Sequence, residues 1–138
     1  MTYDPSNIFA KILRGEIPIH KIYEDEHALA FMDVMPQVDG HCLVIPKASS
    51  RGLLDVDPYV LAHLMPVVSK VAKAAVTATG ADGFQIRQYN ETAGGQTVFH
   101  LHFHILPMKQ GVALKPHSGK MADHAVLAEQ ASKIRAQL

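Results

Sequence analysis

The sequence predicts an α+β fold: a mainly antiparallel five-stranded sheet with two principal helices and a further C-terminal helix. Three observations carry the prediction. Apolar residues recur at a helical period in only a few stretches, and five short β-prone runs are separated by turn residues. Strand–helix–strand alternation is too sparse for a parallel, Rossmann-type sheet. The 138 residues fit one domain, 1–138.

Each element follows from local chemistry. In "SNIFAKILRGEI", Ser6 is the expected N-cap, Ile8, Phe9, Ile12 and Leu13 form an apolar stripe, and Gly15 ends the helix. "HKIYED" and "HALAFMDV" flank an acidic turn and predict a hairpin. "GHCLVIP" reads as a third strand, stopped by Pro46. The longest helix is expected over Pro58 to Thr79, with Val60, Leu64, Val67, Val68, Val71 and Ala75 on its inner side and Gly80 at its end. Pro66 inside it predicts a kink or a later start. In "GFQIRQYN", Phe84 and Ile86 alternate with Gln85 and Arg87, as on a half-buried strand. "VFHLHFHILP" is the fifth strand, and Met121 to Leu138 predicts an amphipathic helix through Leu127, Ala131, Ile134 and Leu138.

Thirteen basic residues balance thirteen acidic ones, so no global field recruits nucleic acid or anionic lipid, and a bound phosphate must be held by local geometry. The single cysteine, Cys42, provides neither a disulfide framework nor a multi-cysteine zinc cluster and suits a reducing cytoplasm. "MTYDPSNIF" lacks the basic and apolar regions of a signal peptide. No apolar run is expected to reach the ~18 residues of a membrane span.

The chemistry concentrates in "HLHFHIL". On a strand, His100, His102 and His104 share one face about 7 Å apart, and Phe99, Leu101, Phe103 and Ile105 share the other. The histidine face is expected to be exposed to solvent or ligand, because a one-residue slip would exchange the two faces. Such a row suits a phosphate-directed nucleophile or a zinc site, since alternate histidines can reach one ion. No nearby carboxylate or cysteine run completes a metal shell in the sequence. The preceding loop, "ETAGGQT", favours phosphate. Gly94 and Gly95 allow consecutive N–H groups to converge, Gln96 and Thr97 add donors, and Asn90 ends the preceding strand pattern beside them.

At this point the sequence resembles the histidine triad (HIT) superfamily, whose hallmark His-φ-His-φ-His-φ-φ, φ being apolar, is matched throughout by "HLHFHIL". "IFAKILRGEIP", "FMDVMPQVDGHCLVIPK" and "GGQTVFHLHFHILP" resemble its Hint branch in the same order. The resemblance covers roughly residues 6–108, leaving 109–138 as a C-terminal extension. It implies a hydrolase acting at the α-phosphate of a purine nucleoside 5′-phosphate derivative, an AMP or GMP derivative, such as a phosphoramidate. His102 matches the nucleophile that forms a nucleotidyl-histidine, and a neutral imidazole is competent near pH 7. His104 matches the histidine contacting phosphate and leaving group, and His41 a fourth histidine supporting the site with His100. Asn90, Gly95, Gln96 and Thr97 match ligand- and phosphate-contacting positions. Asp33 matches a carboxylate accepting from the ribose hydroxyls, with Val34 beside it. Ile8, Phe9, Ile12 and Phe31 match an apolar slot for the base, although their pattern alone reads as core.

The family further implies a homodimer with a sheet continuous across both subunits, and no cofactor, nucleic acid or membrane partner. Bacterial relatives often carry Cys-x-x-Cys at the first helix and bind zinc there with histidines. Here that stretch is "NIFA", Asn7 to Ala10, so no structural zinc is expected. The chain also lacks the tryptophan that some Hint proteins place in a C-terminal segment, which leaves the leaving group open. A dinucleoside polyphosphate hydrolase of the Fhit type and a nucleotide-sensing protein with little turnover are the alternative functions. The extension is expected to dock on the dimer or cap the pocket.

Overall fold

The computed structural model describes residues 2–116 and 120–138. Its elements are α1 (Ile8–Leu13), β1 (Lys21–Glu24), β2 (Ala28–Met32), β3 (Cys42–Pro46), α2 (Pro58–Thr79), β4 (Gly83–Arg87), β5 (Phe103–Met108) and α3 (His124–Arg135). The five strands form one antiparallel sheet in the order β1-β2-β3-β5-β4. The expected α+β architecture is therefore the observed one.

The sheet separates two apolar layers. Ala28, Ala30, Met32, Cys42 and Val44 face α2 and α3, which bring Leu64, Val71, Leu127 and Ile134 against them. Leu29, Phe31, Leu43 and Ile45 point the other way and meet Phe9 of α1. Both faces of β2 and β3 are thus buried, which explains their nearly unbroken apolar sequences.

Local signals differ from expectation in five places. Asn7, not Ser6, caps α1, its Oδ1 accepting from Ala10 N–H at 2.9 Å. Ser6 instead donates from backbone and hydroxyl to the Asp4 carboxylate. Pro66 neither delays nor breaks α2: Asp57 caps the helix ahead of Pro58, and the helix is continuous to Thr79. Pro66 and Ala62 are both exposed, so the N–H that Pro66 lacks is lost on the solvent side of the helix and not in its core. By length and composition α2 is long and apolar enough to cross a membrane, contrary to expectation, but its buried residues form the core against the sheet. Phe84 and Ile86 remain 49% and 40% exposed, because β4 is an edge strand that α2 touches but covers only in part. Leu138 lies outside α3 and is exposed, while Leu127, Ala131 and Ile134 are buried as expected.

The fifth strand begins only at Phe103. Residues 98–102 approach it irregularly, and Leu101 N–H donates to the Ser50 carbonyl at 2.7 Å. The alternation survives this bend. Leu101, Phe103 and Ile105 enter the helix-side core, while His104 pairs with Leu43 across the sheet and so points toward α1.

Candidate active site

A cleft of about 180 Å³ opens between α1 and the sheet. Its apolar part is lined by Ile8, Phe9, Ile12, Phe31 and Val34, the residues expected to form a base slot. Phe9 and Phe31 also belong to the α1-side core, in an edge-to-face pair at 5.6 Å, so the slot and core readings describe one surface. Asp33, Thr97, His102 and His104 line the polar part. Among the described residues the lining contains no lysine or arginine. The sequence reading missed Ile17, Ile19, Leu43 and Val98, although the alternation in "IPI" and the parity of Leu43 with Phe31 are visible signals.

Of the expected exposure to solvent or ligand, the solvent half does not hold: His41 and His100 are fully covered, and His102 and His104 are only 5% exposed, although both line the cleft. Phe9 of α1 stands edge-on to His102 at 4.9 Å and to His100 at 6.5 Å, while Tyr89 and His41 pack on His104. The His102 and His104 rings lie 5.0 Å apart, nearer than the strand repeat because His102 precedes the regular strand.

Fixed partners determine the proton positions. A carbonyl only accepts, so the contact of His102 Nδ1 with His100 O at 2.7 Å is a donated N–H. A neutral His102 therefore carries its lone pair on Nε2. His100 donates from Nε2 to Pro46 O at 2.8 Å and accepts from Tyr3 Oη–H at 2.6 Å. Burial holds His100 below the usual histidine pKa, favouring the neutral ring, although the Pro46 carbonyl opposes this and His102 adds to it.

A backbone N–H only donates, so His41 Nδ1 accepts from Gln37 N at 3.0 Å. His41 accordingly carries its proton on Nε2, which faces His104 Nδ1 at 2.9 Å and an Asp33 oxygen at 3.4 Å. His104 Nδ1 is then the acceptor, and its proton resides on Nε2. The expected support by His41 thus reaches His104 directly, while His100 braces His102 through its carbonyl.

Asp33, His41 and His104 place potential metal ligands within 4.8 Å of one another, correcting the expectation that no carboxylate is near. The hydrogen bonds do not suit an ion there. His41 Nδ1 directs its lone pair at Gln37 N–H and Nε2 holds the proton, so neither nitrogen presents a lone pair to a cation. At the first helix, the position of the absent Cys-x-x-Cys is occupied by Asn7 acting as a cap. Cys42 is equally unsuited to nucleophilic chemistry, because burial pushes its thiol up to about 12, aided by Asp33.

The remaining expected residues lie outside this cleft. Asn90 lines a separate groove with Arg51, Gly52 and Glu91, and its Oδ1 accepts from Leu53 N–H at 2.7 Å. A Cβ on Gly52 would stand 2.8 Å from that oxygen, so a larger residue there would push the Asn90 amide aside. Gln96 is buried, and its amide braces the loop: Nε2 donates to Arg51 O and Val98 O, and Oε1 accepts from Glu91 N–H. Gly95 adopts φ 94° beneath the Tyr89 ring, which in turn packs against His104 at 5.7 Å. Glu91 adopts φ 62° and ψ 164°, a conformation strained for a residue with a side chain, and Arg51 grips its carboxylate with two hydrogen bonds. The residues after Asn90 therefore shape the approach to the triad, while Thr97 alone among them reaches the cleft.

The HIT domain family model matches residues 14–111. An adenylylsulfatase of Arabidopsis thaliana is 39% identical over 124 residues, covering 86% of this chain and 63% of that protein. An adenosine 5′-monophosphoramidase of Saccharomyces cerevisiae is 36% identical over 108 residues, covering 78% of this chain and 66% of that protein. The chain thus spans just under two thirds of the length of both relatives. The crystal structure of a Hit-like protein involved in cell-cycle regulation from Bartonella henselae, solved with an unknown ligand, is 50% identical, with a TM-score of 0.96 and full coverage of both chains. With its three histidines held beside an apolar cleft by the fold these relatives share, the chain belongs to the HIT domain family.

Proposed function

We propose that the protein hydrolyses purine nucleoside 5′-phosphoramidates, or related derivatives, at the α-phosphate through a nucleotidyl intermediate on His102. The observation that carries this reading is the His102 Nδ1–H bond to His100 O, which puts the nucleophilic lone pair on Nε2 of a cleft-lining ring. The base lies against the apolar lining of Ile8, Phe9, Ile12 and Phe31, the ribose hydroxyls donate to Asp33, and the phosphate meets Thr97 and His104. His102 Nε2 attacks phosphorus, and the P–N bond breaks. His104 Nε2–H stabilises charge on the departing nitrogen, and the amine takes its proton from water. Water then attacks phosphorus, the P–Nε2 bond breaks, and the nucleoside monophosphate leaves after a proton is lost to solvent.

The charge-poor lining favours this chemistry over dinucleoside polyphosphate hydrolysis, whose additional phosphates call for cations. Adenosine 5′-phosphoramidate turnover tests the proposal. His102→Ala is expected to lower kcat by about a thousandfold or more. Equal turnover by the variant would refute the assignment, and faster cleavage of diadenosine polyphosphates would transfer it to the other reaction. Binding of AMP without turnover of either substrate would make the protein a sensor.

We infer a homodimer formed through β4. Phe84 and Ile86 leave an exposed apolar edge, and a second β4 would extend the sheet antiparallel across it. Ile86→Lys is expected to yield a monomer in light scattering. A dimer persisting in this variant would place the interface elsewhere.

A further inference from the structure

After β5 the chain returns across the irregular loop 33–41, which supplies Asp33 and Val34 to the cleft and ends at His41. Three separated points of the C-terminal extension grip this loop. Lys115 N–H donates to Gln37 O at 2.7 Å, and Gln37 Nε2 donates back to Lys115 O at 3.2 Å. Ala122 N–H donates to Val34 O at 2.9 Å, and Gln130 Oε1 in α3 accepts from Gly40 N–H at 3.3 Å. Gln37, the most strongly gripped residue, is the one whose own N–H bonds to His41 Nδ1.

We propose that the extension is a positioning element for catalysis: its clamp on loop 33–41 keeps Gln37 N–H on His41 and so selects the tautomers of both His41 and His104. The inference rests on the hydrolase reading for its catalytic consequence, although the tautomers can be observed without turnover. Two proton arrangements satisfy the His41–His104 contact. With Gln37 N–H in place, His41 donates from Nε2 and His104 presents N–H at its opposite edge. If Gln37 withdraws, His41 can hold its proton on Nδ1 and accept from His104 Nδ1–H. His104 Nε2 then offers a lone pair where a phosphoryl group or departing nitrogen needs a donor. Loop 33–41 is closed by its own bonds from Asp33 N–H to His41 O and from His41 N–H to Val38 O, and the nearby Asp33 oxygen favours the same Nε2–H tautomer of His41. It is the extension, however, that grips the Gln37 backbone. Gln37, Lys115 and Gln130 act through His41 and are positioning residues.

The test removes the clamp without touching the cleft. Lys115→Pro deletes the N–H that bonds to Gln37 O, and Ala113→Pro introduces the same ring in the same stretch at a position with no such bond. Nitrogen-15 NMR of the imidazoles reads the tautomers, and adenosine phosphoramidate hydrolysis reads kcat and KM. The wild-type chain is expected to show the proton on Nε2 of both His41 and His104. Lys115→Pro is expected to populate the alternative and lose about 10- to 100-fold in kcat with little change in KM, while Ala113→Pro matches wild type. Gln130→Ala, which loosens the loop without a proline, is expected to shift both readouts in the same direction. Unchanged tautomers in Lys115→Pro and Gln130→Ala, or an equal loss in Ala113→Pro, would overturn the proposal. Wild-type protein with the expected tautomers, a clamp-dependent shift and no turnover would uphold the positioning and refute the hydrolase reading.

Discussion

Tyr3 Oη lies 2.6 Å from His100 Nδ1, tying the N-terminal segment to the first histidine of the triad. Because His100 donates its other nitrogen to Pro46 O, the phenol completes the hydrogen bonding of a neutral, buried ring. Burial lowers the His100 pKa from its ordinary 6.5, which gives stability a definite pH dependence. Above 6.5 both folded and unfolded chains hold His100 neutral, so no proton-linked penalty applies. As pH falls through this value the unfolded chain takes up the proton first, and stability declines by at most about 1.4 kcal/mol per pH unit until the folded ring also protonates. His100→Asn is expected to flatten this part of the profile when urea midpoints are compared at about pH 7.5 and about pH 5. An unchanged slope would show that other groups carry it.

Removing His41 should separate catalysis from binding. His41→Ala leaves Gln37 N–H and His104 Nδ1 without the imidazole that joins them. We expect about 2–4 kcal/mol of destabilisation, from the lost packing and buried polar groups. The kcat for an adenosine phosphoramidate should fall about 10- to 100-fold. AMP affinity measured by calorimetry should change much less, because His41 is not among the cleft-lining residues.

Gln96 should behave as a loop brace. Its side chain satisfies two carbonyls and one N–H in a buried setting. Gln96→Ala is expected to cost about 2–4 kcal/mol in chemical denaturation, since several polar groups lose their partner together. Gln96→Glu cannot donate to Arg51 O and Val98 O when ionised and should rescue little of this loss. Full rescue would show that only the Glu91 N–H contact matters.

Cys42 should be silent toward thiol reagents in the folded chain. Its side chain is buried, and its thiol is pushed up to about 12, so thiolate is scarce at neutral pH. Titration with a disulfide reagent at about pH 8 is expected to detect essentially no thiol until denaturant is added, and then one per chain. Rapid native labelling would reveal that α2 or α3 lifts from the sheet.

Much of this architecture was legible because period and punctuation agree. The Pro58 and Gly80 limits of α2, the apolar sequences of β2 and β3, and the alternation through His104 each declare their structure locally. The departures arise where a distant segment decides the outcome. Phe84 and Ile86 carry an inward pattern, but at the sheet edge α2 covers β4 only in part. The histidine row was visible, but its burial depends on Tyr3, Phe9 and Tyr89, which pack on it from distant segments. Residues 8, 9, 12 and 31 were readable as either core or base slot because the same side chains serve both surfaces. Tyr3, Gln37 and Lys115 carried no motif, since their role depends on backbone groups and contacts far along the chain.

The backbone at Glu91 has a dynamic consequence. A side-chain-bearing residue at φ 62° and ψ 164° stores about 1–3 kcal/mol that rotation into the ordinary extended basin would release. Arg51 and Gln96 act as the catch that prevents this rotation. The turn ahead of the triad is therefore spring-loaded, and amide exchange after loss of the Arg51 guanidinium should accelerate first over residues 91–97, while the central strands remain slow.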